Sequence, residues 1–231
     1  MTEDKFLIGD IPAVLYGEPS KQAYLFVHGQ CGCKEEGKAF AEAACPKGFQ
    51  VLAVDLPEHG ARRGEADGFN PWTAVPELQA ALEFMKPRWS EISLRANSIG
   101  AHFSMLAFAG EPLHRALFVS PILDMEQLIA DMMRGAGVTE QELEARGKIA
   151  ADFGQTLSWR YLCWERRHPI PAWRCPTAIL YAGRDNMTSR ETAERFASAR
   201  GAALTVMEDG EHWFNTPEQL TVLREWENEK A

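Results

Sequence analysis

The stretch ISLRANSIGAHFSMLAF, Ile92 to Phe108, begins as an apolar run with strand character, meets Ser98, and continues at once with helical character. A strand that turns directly into a helix leaves little room, because the turn residue is pressed into a strained backbone and its neighbours crowd both elements. Small residues on either side relieve the crowding, and here they are Ala96, Gly100 and Ala101. Such a turn projects the Ser98 hydroxyl from a sheet edge and aims a helix N-terminus at whatever Ser98 attacks, the geometry of a nucleophile elbow. An unassisted serine hydroxyl is a poor nucleophile at neutral pH. The chemistry therefore also needs an imidazole to take its proton and a carboxylate to orient that imidazole.

The scaffold for such a site is legible as an alternation of short apolar runs with longer amphipathic ones. KFLIG and AVLYG, separated by Asp10-Ile11-Pro12, read as an opening hairpin, and AYLFVHG as a buried strand. EEGKAFAEAACPKG has helical spacing and ends at Gly48, and FQVLAVDLP is a strand stopped by Pro57. TAVPELQAALEFMK reads as a helix with Pro76 in its first turn. Strand EISLRAN, helix IGAHFSMLAFAG and strand RALFVSP follow; later come strand TAILYAG, helix SRETAERFASAR, strand ALTVME and a closing helix around PEQLTVLREW. Strands apolar on both faces predict a mainly parallel sheet of about eight strands, helices covering it and the first two strands an antiparallel edge.

One segment breaks the rhythm. Residues 122–174 separate two strands that a single helix could join, and they predict a small helical cap inserted into a single domain spanning 1–231. Met125, Leu128, Ile129, Met132 and Met133 share one helical face, and Thr139 with Glu142 forms a capping-box pattern opening a second helix. TLSWRYLCWERRHPIP, rich in tryptophan and arginine, completes the segment. An insertion at the strand ends of such a sheet would lie over the crevice where ligands bind.

Composition narrows the partners. The 231 residues suffice for one domain with a full core, and no apolar run approaches the ~18 residues of a membrane-spanning helix. The formal charge of −9 gives no basic footprint for nucleic acid or an anionic membrane, which leaves small-molecule or neutral partners. MTEDKFLIGD has acidic residues where a secretory signal would be basic, so a cytoplasmic location is expected. Five cysteines (31, 33, 45, 163 and 175) form an odd set and predict reduced thiols. Cys31 and Cys33 form a CxC in a glycine-bearing turn without the second pair or histidine of a zinc site, so no metal is expected there.

The chain resembles the α/β-hydrolase family over nearly its whole length. YLFVHGQCG is similar to the family's strand ending in His-Gly, VLAVDLPEHGARR to its Asp-x-Pro-x-His-Gly turn, and ANSIGA to its GxSxG elbow with alanine at the first glycine. LYAGRDNMTS resembles the strand end that carries the acid, and MEDGEHWF the late loop that carries the histidine. The resemblance implies the α/β-hydrolase fold, the order serine, aspartate, histidine, and no cofactor. It also implies that the chain past His28-Gly29 supplies an oxyanion amide. That donor is expected to be Gln30, with Cys31 as the alternative, and the other is Ile99, the residue after the nucleophile.

Physical placement supports the remaining roles. His28 and His59 belong to turns at the sheet edge, His102 lies one helical turn past Ser98, His114 precedes a strand and His168 sits in the insertion. His212 alone follows the last predicted strand, on a short glycine-containing loop. Asp185 follows an apolar strand by way of Gly183; Asp124 is its rival, and Asp209 is too close to His212. Together these features predict a serine hydrolase, a carboxylesterase or thioesterase acting on a small ester, with an amidase or peptidase, or a non-catalytic ligand-binding protein of the same fold, as alternatives. Cys31, Trp159 and Tyr161, with Trp164 and Trp173, are candidates for the substrate pocket, and Arg160, Arg166, Arg167 and Arg174 for an anionic group on the substrate.

Overall fold

The computed structural model describes residues 1–231. Strands β1 (Glu3–Ile8) and β2 (Ile11–Tyr16) form the opening hairpin, with the turn at Gly9-Asp10 and Pro12 inside β2. After β3 (Gln22–Val27) come helix α1 (Gly37–Ala44) and strand β4 (Gln50–Val54). Helix α2 (Pro71–Met85) starts earlier than its hydrophobic spacing predicts, because Asn70 caps it by accepting from the Thr73 amide at 3.0 Å. Pro76 consequently lies inside the helix rather than in its first turn. Strand β5 (Glu91–Asn97) runs without a connecting residue into α3 (Ser98–Phe108), and β6 (Ala116–Val119) follows.

Beyond the insertion, β9 (Thr177–Ala182), α7 (Arg190–Arg200), β10 (Ala203–Met207) and α8 (Pro217–Lys230) restore the alternation. The insertion itself departs from an all-helical cap. Between α4 (Met125–Gly135) with α5 (Glu140–Arg146) and the last helix α6 (Trp159–Arg167) lies a two-stranded antiparallel hairpin, β7 (Lys148–Ala150) and β8 (Thr156–Ser158). The capping box of α5 is present: Glu142 N–H donates to Thr139 Oγ1 at 3.2 Å and Thr139 N–H donates to Glu142 Oε2 at 2.8 Å. No helix is long and apolar enough to cross a membrane.

The main sheet has eight strands in the order β1-β2-β4-β3-β5-β6-β9-β10. β1 with β2 and β2 with β4 pair antiparallel, and every other pairing is parallel. Because side chains alternate along a strand, the central strands feed two cores. Leu25, Val27, Leu52, Val54, Leu94 and Ile179 join Leu78 of α2 and Phe103 of α3 on one face. Tyr24, Phe26, Val51, Ala53 and Leu180 join Phe40 of α1 and Trp226 of α8 on the other. The sheet is thus covered by helices on both faces, and the parallel strands deliver their C-terminal ends to one edge.

A charged side chain enters the second core. Arg95 of β5 is 2% exposed and donates from Nε (2.9 Å) and Nη2 (2.7 Å) to Glu227 Oε1 of α8. Its guanidinium also lies over the Phe26 and Phe40 rings, and Nη1 donates to the Asn97 side-chain oxygen. The residue before Ser98 is therefore held by a buried ion pair.

Candidate active site

The junction of β5 and α3 carries the strain that its composition predicts. Ser98 has φ 48°, a left-handed backbone that serine rarely adopts. Gly100 is required by contact: a Cβ there would lie 2.2 Å from the His28 carbonyl oxygen and 2.9 Å from that of Val27. Ala96 packs in β5 with no exposed surface.

Ser98, His212 and Asp185 meet at the C-terminal edge of the sheet, on chain that follows β5, β10 and β9 respectively. Ser98 Oγ lies 2.8 Å from His212 Nε2, and His212 Nδ1 lies 2.8 Å from Asp185 Oδ2. A carboxylate only accepts, so the imidazole proton sits on Nδ1 and Nε2 is left to accept from the serine hydroxyl. Asp185 Oδ1 meanwhile accepts from the amides of Met187 (2.7 Å) and Thr188 (3.1 Å), which fixes the carboxylate plane. The two loops are tied together where Arg184 N–H donates to the Gly210 carbonyl at 2.9 Å. Ser98 and His212 are both buried. This chain of hydrogen bonds can move a proton from the serine to the imidazole as the oxygen attacks.

Beside the serine, Gln30 and Ile99 offer backbone donors. The Gln30 amide has no partner within the chain. Ile99 lies in the first turn of α3, where amides lack a carbonyl inside the helix. The loop that carries Gln30 is braced by His28, whose Nδ1–H donates to the Gly29 carbonyl (2.7 Å) and whose Nε2 accepts from the Leu56 amide (3.0 Å). Burial pushes the His28 pKa down to about 4, so this strut is neutral at neutral pH. The neighbouring Asp-x-Pro-x-His-Gly turn is also structural. Asp55 accepts from the Lys34 amide (2.8 Å), Lys34 Nζ (2.7 Å) and the Ala61 amide (2.9 Å), and a Cβ at Gly60 would come within 2.0 Å of its carboxylate.

Other histidines and acids are engaged elsewhere. His59 contacts its own turn, His168 stacks on Trp164 at 4.2 Å, and His102 Nε2 lies 3.1 Å from the buried Glu165 of α6. Asp124 caps α4 by accepting from the Gln127 amide at 3.0 Å, and Asp209 pairs with Arg184.

A cavity of about 910 Å³ opens on Ser98, Gln30 and Ile99. Ile122 and one face of α4 (Met125, Leu128, Ile129, Met132) form its apolar wall, with Trp72, Trp159 and Tyr161. The Tyr161 hydroxyl is buried without a hydrogen-bond partner, and burial followed by the nearby Glu165 raises its pKa well above the ordinary value.

Several expected pocket residues lie elsewhere. Cys31 does not line the cavity: its backbone turns left-handed at φ 65° and its side chain is exposed. Trp173 is buried against Phe118 and donates to Thr177 Oγ1 at 2.8 Å, inside the domain core. Arg166 is held by Glu126 and Glu140, Arg167 donates to the Cys163 carbonyl, and Arg174 lies outside the cavity. Gln155, absent from the sequence reading, closes the rim by accepting from Gln30 Nε2 at 3.1 Å.

A family model described as "Alpha/beta hydrolase family" matches residues 24–222. No curated protein matches the chain. Among solved structures, Est1E from Butyrivibrio proteoclasticus with ferulic acid bound superposes with a TM-score of 0.78 at 18% identity, covering 98% of this chain and 96% of that one. Alpha/beta hydrolase domain-containing protein 10 from mouse gives 0.77 at 12% identity, covering 99% and 98%. The Pyrococcus furiosus esterase Pf2001 gives 0.68 at 15% identity, covering 99% and 89%. These likenesses are of fold.

Proposed function

The chain belongs to the alpha/beta hydrolase family, and on that premise we propose that it is a serine hydrolase that cleaves a small-molecule ester or thioester. The observation that carries this reading is the unbroken relay from Asp185 through His212 to Ser98, opening on a cavity with two free backbone donors.

In the proposed reaction the substrate carbonyl lies against Ser98 with its oxygen between the amides of Gln30 and Ile99. Ser98 Oγ bonds to the carbonyl carbon while its proton passes to His212 Nε2. Asp185 steadies the resulting imidazolium. Charge builds on the carbonyl oxygen, and each donor that meets it is worth about 2.7–4 kcal/mol of barrier. When the carbonyl reforms, the bond to the alcohol or thiol breaks, and the leaving group takes the proton from His212. Water then repeats the sequence on the acyl-serine, giving up its proton to His212, and the acid departs as Ser98 recovers that proton.

An ester suits the cavity better than a peptide, since the face of α4 gives it one continuous apolar wall, supplied by the insertion. Binding of ferulic acid, a small organic acid, by the Butyrivibrio relative supports a small-molecule substrate here.

The test is labelling with a fluorophosphonate probe, run beside a p-nitrophenyl ester series in wild type and Ser98→Ala. Labelling and turnover present in wild type and abolished in the variant are expected. A folded wild type that is neither labelled nor active would replace this reading with that of a ligand-binding protein.

A further inference from the structure

The cavity contains an unused cation. Glu58, Asp67, Lys148 and Arg160 are the acidic and basic side chains on its lining. Lys148 is paired with Asp67, and Glu58 accepts from the amides of Gly68 and Phe69. Arg160 makes no ion pair and no side-chain hydrogen bond; its guanidinium lies 4.0 Å above the Trp72 ring. Arg160 is exposed on the cavity lining, so its donors are open to a ligand that enters.

Its position also runs against local helix energetics. Arg160 is in the first turn of α6, which has no acidic residue, and a cation there opposes the helix dipole. An anion at the same point would be favoured by the dipole and by the guanidinium together. The contact with Trp72 holds the guanidinium over the ring while its N–H groups have no partner in the chain, which leaves them to a carboxylate taken by two parallel hydrogen bonds. Beside it on α6, Tyr161 lines the same cavity.

We propose that Arg160, held over Trp72, anchors a carboxylate carried by the substrate at a distance from the scissile bond, so that the preferred substrates are esters or thioesters whose acyl chain ends in a carboxylate. One free cation matches one negative charge. A phosphate dianion would leave charge uncompensated beside Glu58 and Asp67, and the apolar wall of α4 fits the chain between the two ends.

This inference rests on the hydrolase reading for its choice of substrate, and two measurements separate the two. The first compares kcat/KM for p-nitrophenyl hydrogen suberate and p-nitrophenyl octanoate in wild type, Arg160→Ala and Arg160→Lys. Wild type is expected to favour the suberate. Arg160→Ala should lower the suberate-to-octanoate ratio tenfold or more, mainly through KM, and Arg160→Lys should restore part of it. A ratio within twofold of wild type in Arg160→Ala overturns the anchor while hydrolysis stands.

The second measures binding of monomethyl suberate to Ser98→Ala by calorimetry, with and without the Arg160→Ala change. Affinity is expected to fall at least tenfold without Arg160 and to weaken with salt. Binding that depends on Arg160 in a protein that turns over neither ester keeps the anchor and removes the hydrolase reading. Binding indifferent to Arg160, or no binding to either protein, overturns the anchor. Because Arg160 is exposed, both variants are expected to fold.

Discussion

Gln30 and Gln155, 125 residues apart in the chain, are joined by a hydrogen bond of 3.1 Å from Nε2 to Oε1. The bond connects the loop that carries the proposed oxyanion donor Gln30 to the hairpin of the insertion. A side-chain bond of this kind contributes about 0.5–1.5 kcal/mol, so Gln155→Ala is expected to lower kcat about two- to tenfold while moving the melting temperature little. Steady-state kinetics beside calorimetry reads both. An unchanged kcat would mean that the brace at His28 holds the loop alone.

His28 sets a pH dependence of stability. Its pKa falls from 6.5 in the unfolded chain to about 4 in the fold, because burial disfavours the imidazolium. Between those values the unfolded chain binds a proton that the folded chain excludes. The contribution is therefore complete above pH 6.5 and is lost as pH falls towards 4, amounting to about 3 kcal/mol at the acid end. Urea unfolding at pH 7 and pH 4.5 should show the loss, and His28→Asn should flatten it. A variant slope equal to that of wild type would place the proton uptake on another group.

The Tyr161 hydroxyl is buried and unpartnered. Leaving such a group without a hydrogen bond costs about 1–3 kcal/mol, so Tyr161→Phe is expected to raise stability by about 1 kcal/mol. Differential scanning calorimetry of the free protein makes the comparison. A lower melting temperature would reveal a partner for the hydroxyl.

The Arg95–Glu227 pair should be costly to break and cheap to replace. Removing one partner strands a buried charge, so Glu227→Ala is expected to lose about 3–5 kcal/mol in urea unfolding. Changing both, as Arg95→Met with Glu227→Leu, should recover most of that loss. A double variant no more stable than the single one would show that packing around the pair, rather than the stranded charge, dominates.

The strand and helix order was legible because the parallel strands are buried on both faces and punctuated by glycine and proline. Ser98 stood out because its small neighbours are a steric necessity, as the contact between Gly100 and the His28 carbonyl explains. What escaped notice depends on distant partners or very short elements. The β7–β8 hairpin buries only Ile149 and Leu157, too little to leave an alternating pattern. Arg95 looks like an ordinary strand residue until Glu227 is seen beside it. Cys31 shows the opposite failure: adjacency in sequence to an oxyanion donor placed it in the pocket, whereas one left-handed residue turns it to solvent.

The same ion pair ties the middle of the sheet to the last helix of the chain. β5 sits near the middle of the sheet, between β3 and β6, yet the carboxylate that neutralises its arginine belongs to α8, which follows every other element in the chain. Without α8 no carboxylate would stand beside Arg95 to neutralise it. His212 likewise arrives only after β10. The second core and the serine relay each close through residues far along the chain from β5, so removing α8 would leave the packing around Phe26 and Phe40 unfinished and Arg95 without its carboxylate.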